Sequence, residues 1–325
     1  MGRDKVNNNL GRDKLDWPQS MWDRIDQAVH AEAKRTRVAA KVLPLHGPLP
    51  AGARTVPGDS IIPDDRGPLR VDEGLEIPLT EIAVEFALTE QQVEAEAEGR
   101  LATAVTLATR ATNLLVQAED RRILRGAEAL REFARESPVH VRTDIREGVG
   151  LAQVEERQTI RVAAVAAGRY GERIFEATVD AYAGLQERGH YGPYALVLAA
   201  MVFADAHRPI ETSLVMPADR IKPLVTQGFH GTGALAPLRG VFISLGGNTM
   251  DLAVAVDTSV AFLQVDNEGM YRFRAFERFA LRLKDSSAIR LLIFEGTAES
   301  DRLAEPDHVA EPGRVAEPVS VSSSQ

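Results

Sequence analysis

The chain has 325 residues, 44% hydrophobic and 26% charged, a balance that excludes a wholly disordered or membrane-embedded protein and allows one large or two ordinary domains with a real core. It contains no cysteine, so disulfides, thiolate metal sites and a cysteine nucleophile are excluded. A formal charge of -9 with no basic block argues against sequence-independent binding to nucleic acid, whose affinity comes from clustered Lys and Arg.

The start, MGRDKVNNNL, is polar and lacks the apolar core of a signal peptide, and the longest apolar run, 194–204, is too short to span a bilayer. A cytoplasmic protein is expected. Residues 1–15 carry GRDK twice, at 2–5 and 11–14, and read as a flexible arm. Asp16 then caps a helix with Pro18 in its first turn, and Trp22, Ile25 and Val29 recur along one face. Residues 44–78 are dense in Pro and Gly. A stretch of that length with little structure of its own is uncommon in a compact domain and reads as an arm that borrows stability from a neighbour. Residues 77–88 follow as strand.

Residues 90–134 read as the longest helix, with Leu101, Val105, Ala108, Leu115, Ala118 and Ile123 available for a buried stripe. Strand is expected at 159–164, and helix at 170–188, ended by Gly189 in a C-capping position. Gly192-Pro193-Tyr194 turns that helix into the apolar strand 194–198. A helix near Met201, a Pro-flanked loop at 207–217 and a helix at 219–227 come next, then strands at 241–244, 251–256, 260–265, 270–283 and 289–294. The class is α+β. The end repeats A-E-P-x-x-V at 304–309, 310–315 and 316–321, a composition that builds no core and predicts an extended, mobile tail. From Asp301 onward, five acids against two arginines put -3 of the net charge in that tail and leave -6 in the body.

No motif supplies a catalytic, cofactor or metal site. Residues 231–236 match G-x-G-x-x-A, but a dinucleotide site needs a strand before and a helix after, whereas a helix is expected before and Pro237 follows, so the segment reads as a flexible loop. Glu90, Glu94 and Glu98 share a helix face without a Glu-x-x-His partner and read as a solvated acidic face. The seven histidines show no zinc spacing, and Ser244 lacks the G-x-S-x-G elbow that would expose a nucleophile.

Several landmarks fall in a recognisable order. Trp22-Asp23-Arg24-Ile25-Asp26, His46-Gly47-Pro48-Leu49, the run 118–126 (AEDRRILRG), Gly189-His190-Tyr191-Gly192-Pro193-Tyr194 and Asp251-Leu252-Ala253-Val254 together resemble encapsulin shell proteins, the linocin-like bacterial family with the fold of the HK97 phage capsid, over about residues 10–296. The resemblance implies a flexible arm at 1–15, an N-terminal helix and start of the P-domain at 16–51, an E-loop at 52–86, a P-domain with the long helix at 87–167, an A-domain at 168–258, return strands at 259–298 and a disordered tail at 299–325. It implies a non-enzymatic chain that assembles with itself, in roughly sixty or more copies, into an icosahedral compartment in the bacterial cytoplasm. The G-P-Y turn is then a joint inside the A-domain.

The same resemblance implies cargo, a ferritin-like iron-oxidising protein or a dye-decolourising peroxidase, held through a short targeting peptide beside the N-terminal helix. That points to Trp22, Ile25 and Val29 as a candidate groove wall, with core packing as the alternative. It also places the loop at 207–217 at a five-fold pore, with His207, Arg208 and Glu211 as candidate polar lining and an ordinary exposed loop as the alternative. A flavin-binding relative carries an aromatic residue shortly after the E-loop strand; Gln91 stands there, so no flavin, and no other cofactor, is expected. Family geometry turns the tail outward. A prophage major capsid protein is the alternative within the fold, and a nucleotide-binding enzyme using the 231–236 loop is the alternative from another class. Neither nucleic acid nor membrane is expected as a partner.

Overall fold

The computed structural model describes residues 10–62, 70–72, 74–143, 148–163, 169–209 and 215–295. The A-E-P repeats and Glu211 lie outside the described residues. The first helix, α1 (Gln19–Thr36), starts after Pro18 rather than at Asp16, and a short α2 (Ala39–Val42) follows it at a sharp corner. Part of the expected flexible arm is packed: Arg12 donates to both carboxylate oxygens of Asp26 at 2.8 and 2.6 Å and to the Val260 carbonyl, while Leu15 is buried. The second GRDK copy is therefore structural.

Two five-stranded sheets organise the chain. The first runs β1 (Leu45–His46), β12 (Met250–Val265), β13 (Tyr271–Leu283), β6 (Thr80–Leu88) and β7 (Val139–Val141). The second runs β10 (Gly228–Thr232), β9 (Tyr194–Ala199), β11 (Arg239–Ser244), β14 (Ile289–Phe294) and β8 (Thr159–Val162). Between β1 and β6 of the first sheet the chain forms an arm of two short antiparallel ladders, β2 (Thr55–Pro57) with β5 (Glu76–Pro78) and β3 (Ser60–Ile62) with β4 (Arg70–Asp72). The strands expected at 251–256 and 260–265 are one strand, β12, whose register against β13 shifts between Val254 and Ser259.

The expected helix at 90–134 is two. Thr89 and Gln92 form a capping box at the head of α3 (Glu90–Ala97), and Gly99, with φ +73, precedes the second helix, α4 (Thr103–Glu136). Leu101 falls in the turn between them and is exposed, whereas Ala108, Leu115, Ala118 and Ile123 are buried. α4 itself breaks at Gly126, with φ 84 and ψ -168. The groups freed by the break are taken up by the loop 148–152, with Ala127 N donating to Gly148 O, and Leu151 and Ala152 N donating to Ile123 and Leu124 O. A Cβ at 126 would overlap Gln153 Oε1 and the Gly148 carbonyl. The glycine that ends E-D-x-x-I-L-x-G is thus the place where a loop enters the helix.

The second sheet is apolar on both faces, which is why Tyr194–Ala199 reads as an unbroken apolar run rather than an alternation. Ala195, Val197, Val241, Ile243 and Leu291 point into the larger core with α1, α4 and the first sheet. Leu196, Leu198, Phe242, Leu292 and Phe294 point into a second core with α5 (Glu172–Gln186), α6 (Ala200–Ala206) and α7 (Pro217–Ile221). Between α5 and β9, Gly189 takes φ +82, Tyr194 Oη donates to His190 O at 2.8 Å and Leu245 N to Pro193 O at 2.9 Å. The helix expected at 219–227 is only α7, and Gln227 instead donates its amide to Tyr194 O.

Candidate functional site

The helical face that the sequence marks as a groove wall is the core face. Trp22, Ile25 and Val29 are 2%, 1% and 0% exposed, and the Trp22 ring joins Trp17 and Phe273 with centroids 5.1 and 6.3 Å away. Burial on this scale is worth about 1.5–3 kcal/mol per side chain, and it leaves no surface for a peptide. The core alternative describes these three residues, and a groove beside α1 has to use another flank.

Such a groove exists. A cavity of about 550 Å³ opens between the C-terminal half of α1, α2, β1 and the outer edge of β12. Ala33 and Ala40 from the helices, Leu252 and Val254 from β12 and Phe279 from β13 give it apolar walls, and Leu45, 69% exposed, stands at its lip. Small side chains on α1 and α2 make the room, and the turn of His46 to Leu49 fixes the mouth, with Leu49 N donating to Val254 O at 3.0 Å. Lys34, Lys41, His30 and His46 give it cationic or titratable groups.

Its floor is polar. Arg37, which caps the C-terminus of α1, donates from Nε to Glu119 at 2.7 Å, from Nη1 to Asp257 at 2.8 Å and from Nη2 to Glu277 at 2.6 Å and Thr258 at 2.7 Å. Burial disfavours the guanidinium charge, but these carboxylates outweigh it and raise its pKa. Glu119 goes well above the ordinary carboxyl value because burial and the charge of Glu277 exceed the pull of Arg37. Next to it Asp120 accepts the amides of Ala39 at 2.8 Å and Val38 at 3.2 Å, yet burial still pushes it up to about 6. The E-D pair of α4 therefore grips the α1–α2 corner. Sequence reasoning missed this cluster; the adjacent Glu119 and Asp120 inside an apolar helix pattern were its only local sign.

Of the expected pore residues, His207 is half-buried against Phe203 and Phe229, with Nδ1 2.9 Å from Phe203 O, while Arg208 is exposed, 3.7 Å from Asp205. Glu90, Glu94 and Glu98 are exposed as expected for a solvated face. Gly231 and Thr232 end strand β10, so the strand that a dinucleotide fingerprint requires is present after all; a strand, β11, still follows instead of a helix. Ser244 is buried and donates to Tyr191 O at 2.7 Å. A His–Ser–Asp grouping does form, with His190 Nε2 2.7 Å from Ser287 Oγ and that hydroxyl 2.6 Å from Asp285. A carboxylate only accepts, so the serine proton goes to Asp285 and not to the imidazole, the reverse of what nucleophile activation needs. The grouping ties the Gly189–Tyr194 joint to the β13–β14 turn. Among the described residues, no three His, Asp or Glu side chains gather as a metal site, and no helix is long and apolar enough to cross a membrane.

A five-stranded sheet packed on a long broken helix, a second sheet with a core on each face and an arm of two short ladders make up the HK97 capsid fold. The virus-like particle of Pyrococcus furiosus superposes with a TM-score of 0.59 at 18% identity, over 83% of this chain and 98% of that one. The capsid of Myoviridae phage XM1 gives 0.51 at 16% identity, over 79% and 90%. In sequence, residues 7–280 match the Linocin_M18 family, described as an encapsulating protein for peroxidase, and the chain belongs to that family. It is similar to the type 1 encapsulin shell protein EncA of Myxococcus xanthus (strain DK1622), 29% identical over 307 residues, 90% of this chain and 98% of the relative. It is also similar to a diheme-cytochrome-encapsulin shell fusion protein of Kuenenia stuttgartiensis, 26% identical over 296 residues, 88% of this chain and 74% of that one. It is a self-assembling encapsulin shell protein and not an enzyme.

Proposed function

We propose that the chain closes into an icosahedral compartment in the bacterial cytoplasm around a redox or iron-handling enzyme, a ferritin-like iron-oxidising protein or a dye-decolourising peroxidase, and that a short peptide of that cargo docks in the groove between α1 and β12. The observation that carries the docking part is the apolar-walled groove itself, open in the single subunit beside the N-terminal helix. Two or three aliphatic side chains buried there contribute about 1.5–3 kcal/mol each before the ordering of the peptide is subtracted. One peptide is thus held modestly, and an oligomeric cargo presenting several gains avidity. Assembly is supported by the arm, whose exposed Val71, on the β3–β4 ladder, and Leu75, between β4 and β5, belong to ladders too small to be stable alone and need a neighbouring subunit to cover them. The loop after α6 is read as the pore rim, with Arg208 rather than the packed His207 as its available charge.

Co-expression of the full chain with a ferritin-like or peroxidase cargo, with and without the cargo's terminal peptide, tests the reading. Hollow particles that retain cargo only when the peptide is present support it. Particles that fill equally without the peptide, or a chain that stays monomeric, refute it.

A further inference from the structure

The floor of the groove holds more negative than positive charge, and three of its carboxyls, Glu119, Asp120 and Glu277, are buried. Glu119 from α4, Asp257 from β12 and Glu277 from β13 surround the single guanidinium of Arg37, and Asp120 lies beside Glu119. The other titratable and charged groups facing this cluster are His30 and Lys34 of α1, Lys41 of α2 and His46 of β1, all on the groove wall. Glu277 is 1% exposed, and while its Oε2 accepts from Arg37 and Thr258, its Oε1 is buried with no hydrogen-bond donor. A buried carboxylate oxygen left without a donor is costly, and a neighbouring carboxyl O–H supplies one. Two carboxylates held at one site do not both ionise readily.

We infer that Glu119, held on Arg37 beside Glu277, carries a proton, and that this proton latches the α1–α2 corner, and the groove it borders, against the first sheet. Burial and the charge of Glu277 raise the pKa of Glu119 in the direction this requires. With the proton present, Glu277 and Asp257 remain as the charged partners of the guanidinium, which stays seated at the end of α1. When the proton leaves to solvent, two buried carboxylates repel each other across Arg37 and the corner loosens. Ala33, Ala40 and Lys41 lie on the two helices joined there, so the groove changes shape with the proton. The consequence for a docked peptide rests on the docking reading above; the latch itself does not.

Hydrogen exchange on the assembled full chain, without cargo, tests the latch through the amides of Val38 and Ala39, which Asp120 holds at that corner. After correction for intrinsic exchange, their protection falls about tenfold or more between about pH 7.5 and about pH 9 in the unaltered chain, above the range in which Asp120 itself titrates. Glu119→Gln keeps an acceptor for Arg37 and carries a permanent N–H donor, so its protection stays level. Infrared difference spectra taken above about pH 7.5, where Asp120 is already ionised, show a protonated carboxyl band that bleaches as the pH rises and is missing from Glu119→Gln. Level protection in the unaltered chain, absence of that band, or a Glu119→Gln slope equal to the unaltered one overturns the latch. If Glu119→Gln does not assemble, Glu277→Gln removes the neighbouring charge and must move both the band's bleaching and the loss of protection to lower pH. None of these readouts involves cargo, so a failure of the docking reading leaves them unchanged.

Discussion

Asp251 and Arg282 face each other across β12 and β13 in a buried two-pronged pair, Nε to Oδ1 and Nη2 to Oδ2, both at 2.7 Å. Lys284 shares the carboxylate at 2.8 Å, and the free prong of Arg282 reaches the Pro57 carbonyl and Asp59 at 3.2 Å each. The base of the projecting arm is thereby tied to the first sheet by the side chain of a return strand.

Removing the shared acceptor strands two buried cations. Asp251→Ala is expected to cost about 3–5 kcal/mol, the range for breaking a buried ion pair, and to impair assembly through the arm. Burial pulls the Asp251 carboxyl upward, but the hydrogen bonds from Arg282 and Lys284 outweigh it and hold it below its ordinary value. A depressed carboxyl contributes stability that is present above about pH 4 and lost as the pH falls through its folded value. Acid unfolding curves of Asp251→Asn therefore lack part of the loss seen below about pH 4 in the unaltered chain.

Asp120 behaves in the opposite sense. Its folded value of about 6 lies above the ordinary 3.8, so the folded state binds the extra proton and stability from this group falls as the pH rises between those values. Two units of displacement correspond to about 3 kcal/mol. Denaturant titrations are expected to show Asp120→Asn gaining on the unaltered chain as the pH climbs through that window; a constant difference contradicts the assignment.

Two glycines with positive φ separate backbone strain from close packing. Gly126 meets Gln153 and Gly148 where a Cβ would go, whereas nothing lies within 4 Å of Gly99. Gly99→Ala is expected to cost about 1–2 kcal/mol, the price of a left-handed residue alone. Gly126→Ala costs more than that and shifts the loop 148–152, measured by chemical denaturation and by protease cleavage within the loop.

The two flanks of α1 are separable by mutation. Trp22→Ala removes a core ring and is expected to lose about 3–5 kcal/mol and to reduce assembly. Leu45→Asp alters only an exposed lip of the groove, leaves thermal stability and particle yield unchanged, and lowers the amount of cargo retained per particle. A Leu45→Asp shell that fills normally places the peptide elsewhere.

Much of the fold was legible because its signals are local. The glycine before the G-P-Y turn and the unbroken apolar run of β9 each follow from a few adjacent residues. The break between α3 and α4 was hidden because Glu, Gln and Ala favour helix on both sides of it and only Gly99 punctuates them. The groove was illegible for a different reason. Arg37 meets Glu119 and Glu277 across 82 and 240 residues, a juxtaposition that no periodicity encodes. Periodicity identified Trp22, Ile25 and Val29 correctly as one apolar face, but an apolar face on a helix belongs first to the core, and the open groove lies on the neighbouring flank where alanines leave space.

The order of the second sheet, β10-β9-β11-β14-β8, places its last strand between two others instead of at an edge. β14 pairs with β11 on one side and β8 on the other, and its side chains enter both cores. During synthesis the chain emerges from its N-terminus, so every other strand leaves the ribosome before the one that joins them. Until Phe294 is available, β8 has no partner in the sheet and neither core is closed. Folding of the two halves of the subunit is therefore coupled through one strand: a substitution that unseats β14 opens both cores at once rather than one of them.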